Sequence, residues 1–443
     1  MKAKAFFILI FLLSILSVKA QQNDSIQIWS LNDCINHALT QNIQVRQSIL
    51  NNLSYEVNAN QAVNQKLPSV AGSVRQNFGW SNETDPINGE LNFAGNNSTS
   101  YSINSSVVVY NGFKLNSLIK QAELDMQSGI YDSETIKESI SLSILNAYLQ
   151  VLFNEENVKN AEKQLESTTQ QLNLAQERLN MDIISRSDYL QVKSQLASEK
   201  LSLSNANSQY TISKVSLMQL MELPVSDNFA ISQPLLDETV NTNILPNAAE
   251  VYALALGIKP EVKSAEYQKE SAALNEKIAA TGYYPSLTAD AGIGTAYSNL
   301  SGNGYFGQLN DKVSPTVGLT LSIPIFQKKQ VKTNVSLAKI NYQNAELTEI
   351  NVKNQLRKEI EQACVDVVSS QTGYEASREQ FEAVEESYTL AEEKFNNGLI
   401  NSVDFLFEKT NLIVAESQLL QSKYTLIFNY KILDFYIGNP INL

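Results

Sequence analysis

The residue types that carry most enzymatic chemistry are scarce in this chain of 443 residues. His37 is the single histidine, so histidine-based metal sites and Ser–His or Cys–His catalysis lack their parts. Cys34 and Cys364 are the two cysteines, and both fall within helical patterns, which favours packing roles over a disulfide framework. The sequence shows no Gly-rich phosphate loop either. An exported enzyme is therefore the least favoured class, and we expect neither a cofactor nor a bound metal.

Two aspartates stand out because they occupy equivalent places in two similar segments. Asp188 lies in Asn180–Leu190 (NMDIISRSDYL), and Asp404 lies in Asn396–Leu406 (NNGLINSVDFL), 216 positions later. Each segment separates two long helical patterns, which predicts a tight turn between antiparallel helices. Carboxylates in the first turn of a helix are stabilised by its dipole, by about 0.3–1 kcal/mol. A role in lining the lumen of a channel is the alternative.

The chain contains an internal duplication. At an offset of 217, Val45 falls on Val262 and Pro68 on Pro285, whereas later positions match at 216. We expect a first repeat over 31–224, a linker over 225–247 and a second repeat over 248–440. Each repeat reads as a helix (31–66 and 248–282), two strands, a very long helix, the turn and a returning helix.

Apolar residues recur every seventh position in the returning helices, which predicts coiled-coil packing rather than a single globular core. The stripes are Tyr189, Leu196, Leu203, Tyr210 and Leu217, and Phe405, Leu412, Leu419, Leu426 and Leu433.

The four strands alternate apolar and polar residues over about ten positions, as in a membrane barrel with lipid outside and water inside. They are predicted at Val70–Trp80, Tyr101–Tyr110, Leu287–Tyr297 and Thr316–Phe326, with polar loops at 81–100 and 298–315. A soluble sandwich with one buried face is the alternative. Four strands cannot close a barrel, so several protomers would have to contribute. The side chains predicted to face lipid are Val74, Phe78, Trp80, Val107, Val109, Ile293, Tyr297, Leu319, Leu321 and Ile323.

The first 20 residues have the pattern of a cleaved secretory signal, with a basic start, a short apolar stretch and Val18 and Ala20 before the cleavage point. The remaining chain has no apolar run of the roughly 20 residues that a membrane helix needs. The formal net charge of −13 becomes more negative when the three signal lysines are removed, which argues against nucleic acid and against an anionic membrane surface as partners.

Together, the duplication, the strand pairs, the Pro-Ser after the first helix of each half and Gly398-Leu399-Ile400 with Asp404 resemble the TolC-type outer-membrane efflux and secretion channels. The resemblance covers 31–440. It implies a mainly α fold with a small β part: a long coiled-coil α-barrel plus four transmembrane strands per chain, which close as a 12-stranded barrel in a homotrimer. It also implies location in the outer membrane and partners in a periplasmic adaptor protein and an inner-membrane pump.

The resemblance assigns roles to both turns. Three residues of each turn would contact the adaptor: Gly398, Leu399 and Ile400, and Met181, Asp182 and Ile183. The periplasmic gate would contain Asp404, Asp188, Phe407 and Phe395. The function implied is a passive exit duct opened by the adaptor and pump; the alternative is a non-channel coiled-coil protein of the periplasm.

Overall fold

The computed structural model describes residues 27–84, 89, 91–226, 228–233, 247–439 and 441. The expected signal segment, most of the expected linker and Pro440 lie outside the described residues. Helices dominate and strands form a smaller part, which confirms the predicted fold class.

The order of helices and strands repeats along the chain. The first copy contains β1 (Gln27–Trp29), α1 (Leu31–Gln41), α2 (Ile43–Asn64), β2 (Ser69–Thr84), β3 (Leu91–Tyr110), α3 (Lys114–Asn180) and α4 (Arg186–Leu220). After β4 (Phe229–Ile231), the second contains α5 (Ala248–Ile258), α6 (Pro260–Ala280), β5 (Ser286–Ser298), α7 (Tyr305–Asp311), β6 (Ser314–Ser322), α8 (Gln330–Asn396) and α9 (Ser402–Ile437). The long helices α3 and α8 have 67 residues each.

The first helix of each repeat is broken, so the continuous helices predicted over 31–66 and 248–282 were wrong. Asn42 ends α1, donating from Nδ2 to the Leu220 carbonyl (2.9 Å) and accepting at Oδ1 from the Gln44 amide (2.9 Å). At the equivalent place Lys259 is extended (ψ 127°), because the ring of Pro260 disfavours helical backbone in the residue before it.

The main sheet is antiparallel, with strand order β2-β3-β5-β6. Strands β2 and β3 remain paired up to Thr84 and Leu91, so the loop predicted at 81–100 was wrong. The polar composition of this segment suggested a loop. Strand preference depends on context, however, and here β2 and β3 continue to pair with each other. The predicted loop over 298–315 contains the short helix α7. Strand β6 ends at Ser322, two residues before Pro324, which has no amide hydrogen for a ladder.

The sheet has one apolar and one polar face. Residues directly opposite in an antiparallel ladder share a face, and the register places eight of the ten predicted lipid-facing residues together: Val74, Phe78, Trp80, Val107, Ile293, Tyr297, Leu319 and Leu321. Val109 falls at the register shift between β3 and β5. Ile323 lies beyond the end of β6, so its assignment to a strand was wrong, although its side chain is exposed.

The chain divides into two compact units. The first collects the described residues of 1–45, 137–255 and 360–443, and the second those of 46–136 and 256–359. The first unit contains the parallel pair of β1 and β4, which sequence reasoning missed. There the buried Tyr148 donates its hydroxyl to the Ser232 carbonyl (2.6 Å).

In the second unit, which contains the main sheet, buried polar contacts join α6 to α3. Ser264 and Ser271 donate to the carboxylates of Asp132 and Asp125, respectively. Glu349 of α8 accepts from Lys269 of α6 (2.6 Å) and from Lys353 (2.6 Å).

The seven-residue stripes behave as coiled-coil seams, since none of their ten members is exposed. Within the described residues, no helix combines the length and the apolar character needed to cross a bilayer.

Candidate functional site: the paired helical turns

The two turns have the same hydrogen-bonded backbone, which terminates α3 and α8 in the same way. In the first, the Ile183 amide donates to the Arg178 carbonyl (2.9 Å) and the Asp182 amide to the Leu179 carbonyl (3.0 Å). In the second, Leu399 donates to Lys394 (2.8 Å) and Gly398 to Phe395 (3.1 Å). These are the paired bonds of a Schellman helix end, which requires left-handed backbone at its central residue.

That left-handed position is filled differently in the two turns. Gly398 has φ 72°, and Asp182 has φ 58°. Glycine adopts this conformation without steric cost, whereas Asp is one of the few other residues that tolerates it.

The helices that follow are capped by the side chains at equivalent positions. Ser185 and Asp188 form a reciprocal capping box: the Asp188 amide donates to Ser185 Oγ (3.1 Å), and the Ser185 amide donates to Asp188 Oδ2 (3.2 Å). The Ser185 hydroxyl also donates to Asp188 Oδ2 (2.7 Å). At the second turn the Asp404 amide donates to Asn401 Oδ1 (2.9 Å). Among the described residues no partner is recorded for the Asp404 carboxylate, which is exposed.

A polar contact joins the starts of the two returning helices. Ser402, only 2% exposed, donates from Oγ to Asp188 Oδ1 (2.6 Å). Gln191 Oε1 lies 3.1 Å from the same hydroxyl, which has a single proton and therefore favours the closer, charged acceptor. The hydrogen bonds from Ser402, then from Ser185, lower the pKa of the Asp188 carboxyl.

A second polar contact joins the ends of the two long helices. Arg178 donates from Nη1 to the Phe395 carbonyl (3.4 Å) and from Nη2 to the Asn396 carbonyl (3.2 Å). Its guanidinium also lies 5.5 Å from the centroid of the Phe395 ring. The last carbonyls of a helix have no intrahelical partner and carry partial negative charge, so a cation is well placed there.

An aromatic stack fills the interior next to these contacts. The rings of Phe395 and Phe405 are stacked, with centroids 4.6 Å apart and planes 11° apart. Tyr388 also packs against Phe405, with ring centroids 5.8 Å apart. Phe405 is 1% exposed, so its ring is part of the buried core at this end of α9.

One helical turn further along α9, Lys409 is buried. Its ammonium donates to Thr168 Oγ1 (2.8 Å), Ser167 Oγ (3.3 Å) and Gln171 Oε1 (3.4 Å), all on α3. Burial without a contacting carboxylate lowers the pKa of Lys409 to about 8. The charges of Glu199 and Glu392 oppose this lowering only in part.

The predicted contact residues divide into exposed and partly covered groups. The side chains of Leu399, Met181, Ile183 and Phe407 are more than 60% exposed, whereas Ile400 and Phe395 are partly buried. A cavity of about 500 Å³ lies between the two turns and is lined by residues of both, including Arg178, Ile183, Asp188, Gly398 and Ile400.

Sequence reasoning missed Arg178, Ser402 and Lys409. Lys409 was detectable in the sequence, because it follows Phe405 of the apolar stripe by four residues and so lies on the same face of the helix. The partners of Arg178 and Ser402 are more than 200 positions away. Only the alignment of the two repeats would have suggested those contacts.

The arrangement provides hydrogen bonds, helix packing and fixed charge. In the part of the chain that the structure describes, no group of three or more His, Cys, Asp or Glu side chains could hold a metal ion. What the site offers is a set of breakable contacts between two helix pairs.

Comparison with known proteins gives one family. The family model described as outer membrane efflux protein matches residues 34–222 and 251–439. Toxin and drug export protein A of Aggregatibacter actinomycetemcomitans is 20% identical over 409 residues, covering 90% of this chain and 83% of that protein. Outer membrane protein TolC of Escherichia coli is 24% identical, covering 77% of this chain and 69% of TolC. A crystal structure of CusC superposes with a TM-score of 0.81 at 16% identity, covering 95% and 96% of the two chains.

Proposed function

Because the chain belongs to the outer membrane efflux protein family, we propose that it is the outer-membrane exit duct of a tripartite efflux or type I secretion system. It is a passive channel through the outer membrane that extends into the periplasm. Toxin and drug export protein A, as its name states, serves export, and the present chain has a similar sequence over most of its length.

The observation that carries this function is the two-faced sheet. Val74, Phe78, Trp80 and Leu319 are each at least 65% exposed on its apolar face, which suits contact with lipid. Strands β2 and β6 are edges of this four-stranded sheet. Unpaired strand edges are not tolerated in a bilayer, so protomers have to pair edge to edge. Three chains, contributing four strands each, give the 12-stranded barrel of the homotrimer.

The paired turns support a mechanical gate at the periplasmic mouth. Ser402–Asp188 joins the returning helices, and Arg178 joins the long helices through the carbonyls of Phe395 and Asn396. We name these two contacts the turn latch. In the closed state the latch holds the helix pairs together. Opening separates the pairs and breaks a few hydrogen bonds, without a chemical step.

The exposed turn residues are suited to bind a partner. Leu399, Met181 and Ile183 present large exposed apolar side chains, and Ile183 also lines the cavity between the turns. Exposed apolar side chains at a tip are natural contact points for another protein. The partner proposed is a periplasmic adaptor, coupled to an inner-membrane pump.

Single-channel recording tests the proposed function. Purified full-length protein added to a planar bilayer should form pores with stable conductance steps. A periplasmic coiled-coil protein without a channel, which is the competing function, would leave the bilayer unchanged. Absence of conductance from a correctly folded trimer would reject the duct.

Site-specific photo-crosslinking in cells tests the adaptor contact. A photoreactive residue at Leu399 should capture an adaptor protein, whereas the same group at Leu201, an exposed leucine of α4, should not. Equal capture at both positions, or capture at neither in exporting cells, would reject contact through the turns.

A further inference from the structure

All four strands of the main sheet meet a helical segment at the same end of the sheet. The ladder pairs Ser69 with Ser106, Leu287 with Tyr110 and Ser286 with Ser322. The start of β2, the end of β3, the start of β5 and the end of β6 therefore lie side by side. We call this end of the sheet, with the adjoining residues, the strand–helix junction.

The strand–helix junction is free of acidic residues in a chain that has 46 of them. Asp and Glu are absent from 57–82, from 91–122, from 277–289 and from 312–345. The same windows contain lysines close to the junction: Lys66, Lys114, Lys277, Lys328, Lys329 and Lys332. The local charge is therefore positive although the whole chain is strongly acidic.

These junction lysines are available for an external anion. All six are exposed. Within the described ranges no ion pair or side-chain hydrogen bond is recorded for any of them. A surface lysine without an acidic neighbour gains little inside the protein, whereas it is attracted to a negatively charged surface.

Large apolar side chains accompany the lysines. Ile325 is 95% exposed and Phe326 is 80% exposed, and only Gln327 separates them from Lys328 and Lys329. Phe113, 65% exposed, directly precedes Lys114. These side chains follow the ends of β6 and β3, and so lie close to the junction in the sequence. Aromatic and aliphatic groups beside lysines suit the boundary between acyl chains and headgroups.

We propose that the strand–helix junction binds anionic phospholipid headgroups at the periplasmic edge of the outer membrane. This inference rests on the proposed function, because the apolar face must lie in a membrane. The lysines contact phosphates of the inner leaflet while Phe113, Ile325 and Phe326 enter the acyl layer beneath them. Nucleic acid would not account for the exposed apolar side chains, whereas a lipid surface accommodates both these and the lysines.

Lipid selectivity measured by spin-label spectroscopy tests the inference. Full-length trimers are reconstituted in phosphatidylcholine vesicles containing spin-labelled phosphatidylglycerol or spin-labelled phosphatidylcholine, and the ratio of their association constants is determined. A lysine near an anionic surface favours association about fivefold. The ratio should exceed one for the wild type and fall severalfold, towards one, in a variant carrying Lys114→Gln, Lys328→Gln and Lys329→Gln.

The control variant carries Lys163→Gln, Lys200→Gln and Lys358→Gln, which remove the same charge from exposed helix positions outside the junction. It should keep the wild-type ratio. A wild-type ratio of one, or an equal decrease in both variants, would overturn the inference. Displacement of phosphatidylglycerol by millimolar inorganic phosphate would also overturn it, since the site would then bind free phosphate. Conductance in pure phosphatidylcholine tests the duct separately, because loss of lipid preference leaves the pore intact.

Discussion

Asp188 and Asp404 occupy equivalent positions in the two repeats, yet their carboxylates have different surroundings. Asp188 accepts from Ser185 and from Ser402, whereas for Asp404 only the amide is engaged, by Asn401. One carboxylate is therefore a structural part of the turn latch. The carboxylate of Asp404 is exposed to solvent.

Replacing Ser402 with Ala should weaken the turn latch. It removes a hydrogen bond to a charged acceptor, which contributes about 1.5–3 kcal/mol in favourable cases and less at a half-exposed site. The open probability in planar bilayers should increase. Ser185→Ala is the control, because it removes the capping box at a cost of about 1 kcal/mol without touching the contact between the turns. If Ser185→Ala increases opening as much as Ser402→Ala does, the latch assignment is incorrect.

Strongly acidic pH should weaken the turn latch. The pKa of Asp188 is lowered in the folded protein. The charged carboxylate therefore stabilises the turn latch fully above the ordinary carboxyl pKa near 4, and this stabilisation is lost as pH falls through the lowered pKa. Open probability should therefore rise at strongly acidic pH, and this rise should be smaller in Ser402→Ala. An identical pH profile in wild type and variant would contradict the assignment.

Lys409 should make the stability of the protein depend on alkaline pH. Its pKa is about 8 when folded and near 10.5 when unfolded, so the unfolded chain binds more protons between these values. The free energy of unfolding should rise with pH across this window. Below the window, holding Lys409 protonated in the folded protein should lower that free energy by on the order of 3 kcal/mol. Lys409→Met should raise the melting temperature of the detergent-solubilised trimer at pH 7 and flatten its pH dependence.

The exposed Lys163→Met provides the control for Lys409→Met, and it should leave the pH dependence unchanged. Lys409→Met also leaves Thr168 bonded, since its hydroxyl donates to the Gln164 carbonyl (2.9 Å). A lower melting temperature for Lys409→Met at pH 7 would show that the hydrogen bonds of the ammonium outweigh its burial.

At the scale of helices and strands, periodicity predicted most of the fold. The seven-residue stripes anticipated the helices, and strict alternation anticipated four strands with one apolar face. Strand length in the polar region of β2 and β3 was not predictable, because pairing there depends on the partner strand rather than on composition. The break at Lys259 was predictable from Pro260, whereas the break at Asn42 depends on a contact with Leu220.

Two glycines should respond to alanine with opposite signs. Gly398 has left-handed backbone, so Gly398→Ala should destabilise the protein by about 1–2 kcal/mol although nothing lies within 4 Å of an added Cβ. Gly373 lies inside α8, also with open space, and Gly373→Ala should stabilise by up to about 1 kcal/mol through helix propensity. Thermal unfolding followed by circular dichroism measures both. Equal effects would contradict the Schellman assignment at Gly398.

At the scale of the whole molecule, the duplication and the sequence of elements identified the fold class before any side-chain contact was known. The latch could not be predicted in the same way. The resemblance named Asp188 and Phe395 as gate residues, whereas Ser402, which it did not name, makes the contact with Asp188. A family pattern gives the location of such a contact more readily than the residue that makes it.

In the assembled trimer, three copies of Asp404 would form a ring of negative charge at the periplasmic mouth. Asp404→Asn should reduce cation selectivity, seen as a shift of the reversal potential in a salt gradient, because fixed carboxylates attract cations at a constriction. Glu393→Gln, which removes one charge from an exposed position on α8, should have a smaller effect. Equal shifts of the reversal potential for both variants would show that Asp404 does not lie at the constriction.

The equal length of α3 and α8 constrains how this protein can change during evolution. One residue inserted into α3 would rotate the following part of the helix by about 100° and advance it by about 1.5 Å, carrying Arg178 away from the carbonyls of Phe395 and Asn396. Only an insertion of whole heptads, matched in both repeats, would keep the seams and the turns in register. Homologous ducts adapted to periplasms of different depth should therefore differ in paired steps of about 10 Å.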